Sequence, residues 1–357
     1  IVFIQGDNGA SAEGSPQGLL TEMTFFNNIK EPFSEVLKRM DELGGPMTFN
    51  HYPIGWAHAM DTPFQWTKQV ASHFGGTRNG LVVSWPAWIA DRGARRFQFH
   101  HVIDVLPTLL EVLEIPEPTM VDGVAQRPIE GVSMAYSFDR ANAGSESART
   151  IQYFEMLGNR GLYQDGWMAS CRHGRLPWET SGTADFAQDR WELYDIESDF
   201  SQSEDLAERF PERLRAMQDR FLVEAAKYGV FPLDDRFSER VAAAPPGHFS
   251  GRTEVTLYPG MPRLPEGSGP RLANVDHTFT VHAELPAGGA EGVLVCMGGD
   301  QAGWSLFVEG GRLRYHYNWF NFERYDVIAE EALPAGRVRI RLEFRCERPG
   351  ERGGPAW

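Results

Sequence analysis

The sequence predicts an α/β fold with a mostly parallel sheet, followed by an α+β subdomain and an all-β region. Up to about residue 150, short apolar runs alternate with segments of helical periodicity. Short strand-like segments and one long helix then fill 151–237. From residue 251 onward, apolar and polar residues alternate in runs that Gly or Pro residues separate, which is typical of antiparallel strands.

The first part of the chain contains two predicted strands and two predicted helices. Residues 1–5 predict a buried strand of the parallel type, because they are apolar except for Gln5. The apolar run at 81–86 predicts a second buried strand. Apolar residues at helical spacing predict a helix over 31–43 and an amphipathic helix over 99–115. The residues expected on the buried face of the second helix are Val102, Val105, Leu109, Leu110 and Leu113.

The pattern predicts four segments: 1–150 as part of an α/β domain, 151–237 as an α+β subdomain, 238–250 as a linker, and 251–357 as a β-rich region.

Within these segments, a helix is predicted over 211–229, a first strand of the β-rich region over 253–260, and a hairpin turn at the Glu-Gly-Gly of 309–311.

Composition excludes several classes of partner. The net charge is −15, from 49 acidic and 34 basic side chains, which argues against nucleic acid or an anionic membrane. No apolar run approaches the roughly 20 residues that span a bilayer. Cys171, Cys296 and Cys346 lie far apart and form no zinc or disulfide motif. This cysteine usage favours the cytoplasm slightly over an oxidising compartment such as the periplasm.

The first predicted strand ends in Asp7-Asn8-Gly9, a sequence that suits a metal site. In open α/β sheets, ligands bind at the carboxyl ends of the strands. A carboxylate beside an amide oxygen suits a hard divalent cation such as Ca²⁺ or Mg²⁺, and Gly9 allows a sharp turn. The same three residues also form ordinary turns, and by themselves they favour a turn over a metal site.

Several blocks, taken in order, resemble the arylsulfatase family. They are DNGASAEG at 7–14, the aromatic and His-rich segment 55–86, the helix at 101–115, and the segment 191–214. The segment 303–320 resembles the extra β region of large bacterial-type arylsulfatases. The resemblance implies a partial sheet of the alkaline phosphatase superfamily. It also implies a sulfuric ester hydrolase that cleaves aryl or other organic sulfate esters.

The resemblance assigns roles to three residues, Asp7, Asn8 and Lys68, and His73 is a further candidate nearby. Asp7 and Asn8 match an Asp-Asn pair that binds the metal, usually calcium in bacterial members, with magnesium as the alternative. Lys68 matches a lysine that binds the sulfate group and assists near the leaving oxygen, which makes it both a catalytic and a substrate-binding candidate. His73 is a candidate substrate contact, and a structural or pocket-wall histidine is the other interpretation. Phosphatase and phosphonate-hydrolase relatives in the superfamily generally have Asp-His at this pair. Asn8 therefore favours a sulfate monoester over a phosphate dianion, because a neutral amide beside the metal lowers the positive charge of the site.

The family's nucleophile is a formylglycine made from Cys or Ser in a Cys/Ser-x-Pro-x-Arg motif, and the 357 residues contain no such motif. Cys171 lacks the proline and arginine that the motif requires. The nucleophile and further metal carboxylates are therefore expected upstream. The chain is expected to be the C-terminal portion of a larger enzyme, inactive alone, with the missing N-terminal half as its partner.

Two other functions stay open at this stage: a phosphodiester or phosphonate hydrolase of the same superfamily, and a non-catalytic module that binds sulfated glycans. Further candidates for the pocket are the anion contacts Arg78 and Arg172, the rim residue His173, and the aromatic cluster from Trp56 to Trp88, which is either an aryl pocket or core.

Overall fold

The structure is a computed structural model that describes residues 2–242, 249, 251–265, 268–270 and 272–347. The C-terminal tail and most of the predicted linker lie outside the described residues. The α-helices are α1 Met23–Phe26, α2 Phe33–Lys38, α3 Ile54–Asp61, α4 Phe74–Thr77, α5 Val105–Val112, α6 Pro211–Lys227 and α7 Ser238–Ala242. None of these described helices has the length and apolar content to cross a membrane.

The strands of the first half of the chain are β1 Val2–Gln5, β2 Gly80–Val83, β3 Met120–Val121, β4 Val124–Ala125, β5 Ile151–Met156, β6 Asn159–Gln164, β7 Trp167–Cys171 and β8 Glu192–Asp195. The strands of the second half are β9 His277–Leu285, β10 Gly292–Gly298, β11 Gly303–Glu309, β12 Arg312–Trp319, β13 Glu323–Ala332 and β14 Gly336–Phe344. The chain is therefore a mixed α/β protein with several sheets, as the sequence predicts.

The direction of the first sheet differs from the prediction. β1 pairs with β2 in antiparallel register, from Val2 opposite Val83 to Gln5 opposite Gly80. All the other named strand pairs in the described residues are antiparallel as well. The prediction of a parallel-type strand was wrong, because a local apolar run does not specify the direction in which the chain returns.

The predicted burial of the run 81–86 was also wrong. Leu81 is 38% exposed and Val82 is 60% exposed. In the described part of the chain β2 pairs with β1 alone. A two-stranded ribbon covers few of its own side chains, so these apolar residues stay at the surface.

The predicted helix over 99–115 forms in part, as a 3₁₀ turn at Val102–Asp104 that continues into α5. Its buried residues are Asp104 and Thr108, whereas Val102 and Leu113 are each 59% exposed. Asp104 faces inward because it forms a buried ion pair with Arg149. That pairing turns the apolar face outward, so the predicted burial of that face was wrong.

The predicted helix over 31–43 forms as α2 followed by a 3₁₀ turn at Met40–Glu42. Val36 is buried, but Phe33 and Leu37 are each 52% exposed. Helical periodicity therefore identified the element, but most of its apolar face is not covered in the described residues.

The chain divides into two compact units, and the first consists of Ile1–Pro16 and Tyr52–Phe237. Its main sheet has the order β5-β6-β7-β8. Helix α6 packs against this sheet through Met217, Phe221 and Ala225, which contact a core that includes Leu162 and Leu193. The helix predicted over 211–229 is confirmed, and Pro211 occupies its first turn, where a missing N–H costs nothing.

The second unit consists of Gln17–His51 and Ser238–Trp357. It contains a four-stranded sheet, β10-β11-β12-β13, and a two-stranded sheet, β14-β9. Their shared core includes Trp304, Leu306 and Tyr315. The predicted hairpin at 309–311 is confirmed, since Gly310 and Gly311 connect β11 to β12 with φ values of 58° and 72°.

The strand predicted over 253–260 does not form, because that segment has no ladder partner among the described residues. The domain boundaries drawn from the sequence stay predictions.

Candidate functional site

The Asp7-Asn8 turn follows β1, where Gly6 has a φ of 80° and reverses the chain. The Asp7 side chain is exposed, Asn8 is half-buried, and the Asn8 amide donates a hydrogen bond to Asp7 Oδ1 at 2.5 Å. The Gly9 N–H donates to the Gly76 carbonyl at 3.1 Å. The Asp7 and Asn8 side chains therefore lie side by side on a turn. The next residue, Gly9, is hydrogen-bonded to Gly76.

Glycine is required on both sides of this contact. A Cβ on Gly9 would lie 1.6 Å from the Gly75 carbonyl oxygen, and a Cβ on Gly75 would lie 2.1 Å from the Trp66 carbonyl oxygen. Only backbones without side chains approach each other so closely. The loop after β1 and the loop around 65–76 therefore form one compact cluster.

Asp61, at the end of α3, is hydrogen-bonded to the backbone just after the Asp7-Asn8-Gly9 turn. Its Oδ1 accepts a hydrogen bond from the Ala10 N–H at 2.8 Å. Its Oδ2 is buried and has no hydrogen-bond partner among the described residues. Burial raises the pKa of Asp61, and this outweighs the opposite effects of the Ala10 N–H and the nearby His58. Asp61 is therefore a partly desolvated carboxylate immediately beside the Asp7-Asn8 turn.

Lys68 lies in the same cluster, because its backbone N–H donates to the Ala10 carbonyl at 3.0 Å. Its ammonium donates to Glu13 Oε2 at 2.9 Å, and the Lys68 side chain is 34% exposed. Burial by itself would raise the pKa of Glu13. Hydrogen bonds from Lys68, Gln69 and Ser11, together with the Lys68 charge, lower it below its usual value. Lys68 thus presents a cation at the surface that a buried anion anchors.

His73 lies deeper, at the start of α4, and is only 1% exposed. Its Nδ1 is 2.9 Å from Ser72 Oγ, and its Nε2 is 3.2 Å from Glu192 Oε2. The hydrogen bond from His73 is the main reason that the pKa of Glu192 is lowered. Both ring nitrogens therefore have protein partners, and a substrate contact by His73 stays a prediction.

The other sequence candidates lie in structural contacts. His173 is fully buried, with Nδ1 2.8 Å from Asp189 and Nε2 3.2 Å from Asp235. Burial raises the pKa of Cys171 to about 12, which agrees with its lack of a nucleophile motif.

The two candidate arginines stack on aromatic rings. The Arg172 guanidinium lies 4.6 Å from the ring centroid of Trp66, and that of Arg78 lies 4.9 Å from the ring centroid of Phe64. Burial lowers the pKa of Arg78.

The aromatic cluster from Trp56 to Trp88 is partly core and partly surface. Phe74 is buried, whereas Trp56 and Trp88 are each 65% exposed. Trp88 stacks on Trp85 with ring centroids 5.0 Å apart. The cluster is therefore neither wholly core nor wholly surface, and Trp85 lines an apolar pocket together with residues of α5.

The donor chemistry of Asp7 and Asn8 fits a hard cation, but their number falls short of a complete site. Ca²⁺ takes about six to eight oxygen ligands. Among the described residues, no group of three or more His, Cys, Asp or Glu side chains could hold a metal ion. The turn can therefore supply two ligands, and water or other parts of the protein must supply the rest.

Three residues of this cluster were not identified from the sequence as site residues: Glu13, Asp61 and Gln69. Glu13 stands in the quoted block DNGASAEG, so its position was visible but its role was not. An acidic residue in a Gly-rich loop is usually solvated, and only the fold shows that Glu13 is 5% exposed and paired with Lys68.

Comparison with curated proteins finds a sulfatase that is similar to this chain. The chain is 27% identical over 242 residues to an uncharacterised sulfatase of Schizosaccharomyces pombe, an alignment that covers 66% of this chain and 39% of the relative. The predicted resemblance to the sulfatases is confirmed. The chain spans about two fifths of the length of this yeast protein. No family model matches the chain.

Solved structures that are similar to the chain include two from Bacteroides species that each cover less than half of it. A Bacteroides thetaiotaomicron protein from a locus for glycosaminoglycan metabolism covers 44% of this chain and is itself covered over 31%, at 20% identity and a TM-score of 0.33. A proposed sulfatase of Bacteroides fragilis gives the same coverage at 17% identity and a TM-score of 0.29. The relationship therefore rests on the sequence match.

Proposed function

We propose that this chain is part of a sulfuric ester hydrolase that cleaves aryl or other organic sulfate esters. The observation that carries the proposal is the loop cluster, in which a paired carboxylate and amide adjoin an anchored lysine. Lys68 donates its backbone N–H to Ala10, two residues beyond Asn8, so these side chains belong to one small region. The similarity to a yeast sulfatase supports the same reaction class.

In this proposal Asp7 and Asn8 hold Ca²⁺ or Mg²⁺ through their side-chain oxygens. The metal, when bound, polarises a sulfate oxygen and offsets the negative charge of the ester. The Asn8 amide currently donates to Asp7, so the two side chains already share one direction. Rotation of the Asn8 side-chain amide about χ2 would direct its oxygen, in place of its nitrogen, toward a metal ion.

Lys68 contacts the sulfo group and assists near the leaving oxygen. A lysine is suited to this role because its ammonium is a compact charge with three donors. One donor is directed to Glu13, which leaves the other two for an anionic ligand on the exposed side. The formylglycine nucleophile that the resemblance implies has no motif in these 357 residues and is proposed to come from another part of the protein.

An assay of the protein that carries this chain, with an aryl sulfate and calcium, tests the proposal. We expect Lys68→Ala and Asp7→Ala each to lower kcat/KM by about 100-fold or more, since each removes a group that stabilises charge in the transition state. Lys38→Ala and Asp41→Ala are matched controls on an exposed helix and turn, and they should retain activity. Unchanged turnover in Lys68→Ala would remove that lysine from the site.

A phosphodiester or phosphonate hydrolase is the second candidate in the same superfamily. The neutral Asn8 amide favours sulfate, because a monoester of sulfate carries one negative charge and needs less compensation than a phosphate dianion. Rates on a matched pair of aryl sulfate and aryl phosphate distinguish the two candidates. Faster turnover of the aryl phosphate would favour the phosphodiester or phosphonate hydrolase over the sulfatase.

The separate core of the β-rich region favours the third candidate, a module that binds sulfated glycans without catalysis. Trp304, Leu306 and Tyr315 form a hydrophobic cluster within that region alone. Metal-independent binding of a sulfated oligosaccharide by the whole chain, unaffected by Lys68→Ala, would support this candidate over the hydrolase.

A further inference from the structure

We infer that Glu13 is the positioning residue of Lys68: its buried carboxylate holds the lysine ammonium at the place where a sulfo group would bind. The inference rests on the proposed function, because it assigns a task to the anchoring of Lys68. Neither the resemblance nor the similarity to sulfatases assigns a role to Glu13.

Glu13 is placed as an anchor rather than as a surface counter-ion. It is 5% exposed, and its two oxygens accept three side-chain hydrogen bonds. Oε2 accepts from Lys68 Nζ and from Ser11 Oγ, both at 2.9 Å. Oε1 accepts from the Gln69 amide at 2.8 Å. Because the carboxylate has little rotational freedom left, it fixes the direction of the Lys68 ammonium.

A second layer holds the anchor. Gln69 is 7% exposed, and its amide oxygen accepts a hydrogen bond from Arg175 at 2.9 Å. A continuous series of side-chain hydrogen bonds therefore links Lys68 to Glu13, Glu13 to Gln69 and Gln69 to Arg175.

The backbone around Lys68 carries strain that this network offsets. Trp66 and Gln69 flank the lysine and have φ values of 68° and 79°, in the left-handed region that non-glycine residues seldom adopt. Such conformations cost about 1–3 kcal/mol each and persist only where the surroundings hold them. The interactions of Glu13 with Lys68 and Gln69 contribute to that hold.

The first experiment measures the pairing itself and needs no enzymatic activity. The whole chain is treated with an acetylating N-hydroxysuccinimide ester, and the modification rate of Lys68 is followed by mass spectrometry against exposed Lys30. In Glu13→Gln, which keeps the shape but removes the charge, we expect the Lys68 rate to rise by about threefold or more at a constant Lys30 rate. An unchanged Lys68 rate would overturn the inference.

Two variants control for nonspecific effects. Glu35→Gln removes the partner of Lys38, which lies at 2.7 Å in an exposed pair, and should change the Lys38 rate by less than about twofold. Gln69→Asn shortens the side chain that holds Glu13 while keeping a residue that tolerates a positive φ. It should raise the Lys68 rate by less than Glu13→Gln does, and it decides the question if Glu13→Gln fails to fold.

The second experiment asks whether the positioning serves catalysis. In the protein that carries this chain, Glu13→Gln should lower kcat on an aryl sulfate about 10-fold with a smaller change in KM, because a misplaced group costs turnover more than binding. In a Lys68→Ala background the same substitution should have no further effect. Additive losses would mean that Glu13 acts on stability alone. A wild-type protein without sulfatase activity would overturn the proposed function, whereas the labelling rates would still decide the pairing.

Discussion

At the scale of single residues, the buried carboxylate of Asp104 in the first unit has partners that satisfy it. Asp104 is fully buried and accepts hydrogen bonds from Arg149 and from the backbone N–H groups of His101 and Val132. Burial alone would raise the pKa of Asp104, but these donors and the Arg149 charge lower it below its usual value. The carboxylate is therefore ionised in the folded protein, and its partners fix the orientation of α5.

Substitution of Asp104 should change the acid stability of the protein. Since the pKa of Asp104 is lower in the folded state, the unfolded chain binds the proton first as the pH falls. The stabilisation is complete above the unfolded value, near pH 4, and is lost as the pH falls through the lower folded value. We expect Asp104→Asn to be less stable than wild type at pH 7 and to lose less stability between about pH 5 and pH 3. Urea denaturation at both pH values measures this, and equal pH dependence in the two proteins would contradict it.

At the scale of elements, the periodic apolar residues of helix α6 lie on the face of the helix that packs against the sheet. Met217, Phe221 and Ala225 recur at intervals of four residues and face the sheet β5-β6-β7-β8, so they form a continuous apolar stripe. Leu222 and Val223 interrupt that pattern and are exposed. The helix is therefore amphipathic in the sense that the sequence predicts.

Two neighbouring substitutions on α6 test this packing. Phe221 is 1% exposed, so Phe221→Ala should lower the free energy of unfolding by about 3–5 kcal/mol through lost burial and a cavity. Leu222 is 53% exposed, so Leu222→Ala should change it by less than about 0.5 kcal/mol. Urea denaturation of both variants gives the comparison, and similar losses would mean that the helix faces the sheet differently.

At the scale of the whole molecule, the described chain combines a strongly acidic surface with exposed apolar side chains. The net charge of −15 favours solubility, yet Val82, Leu106 and Leu113 are each more than half exposed. Leu113 also lines an apolar pocket together with Trp85 and Leu109. The apolar patterns at 81–86 and 99–115 are therefore real features of the chain, although the described residues do not bury them.

A hydrophobic dye tests the exposure of this surface. The double variant Leu106→Gln and Leu113→Gln should bind less of the dye than wild type, with a melting temperature within about 2 °C, because surface substitutions change stability little. Glu111→Gln on the same helix is the polar control and should leave dye binding unchanged. A large fall in melting temperature would show instead that these leucines are packed.

The sequence by itself determined the fold class, the helix α6, most strands of the β-rich region and the resemblance to sulfatases, because these depend on periodicity and on the order of local motifs. It also identified Asp7, Asn8 and Lys68 as the candidate site. Only the tertiary structure decided that β1 and β2 are antiparallel, that the apolar face of α5 is turned outward, and that Glu13 anchors Lys68. Contacts such as this one join residues 55 positions apart. A local sequence pattern does not specify which distant segment will pack against it. In this protein that is decided by close backbone contacts that only glycine allows and by the pairing of buried charges.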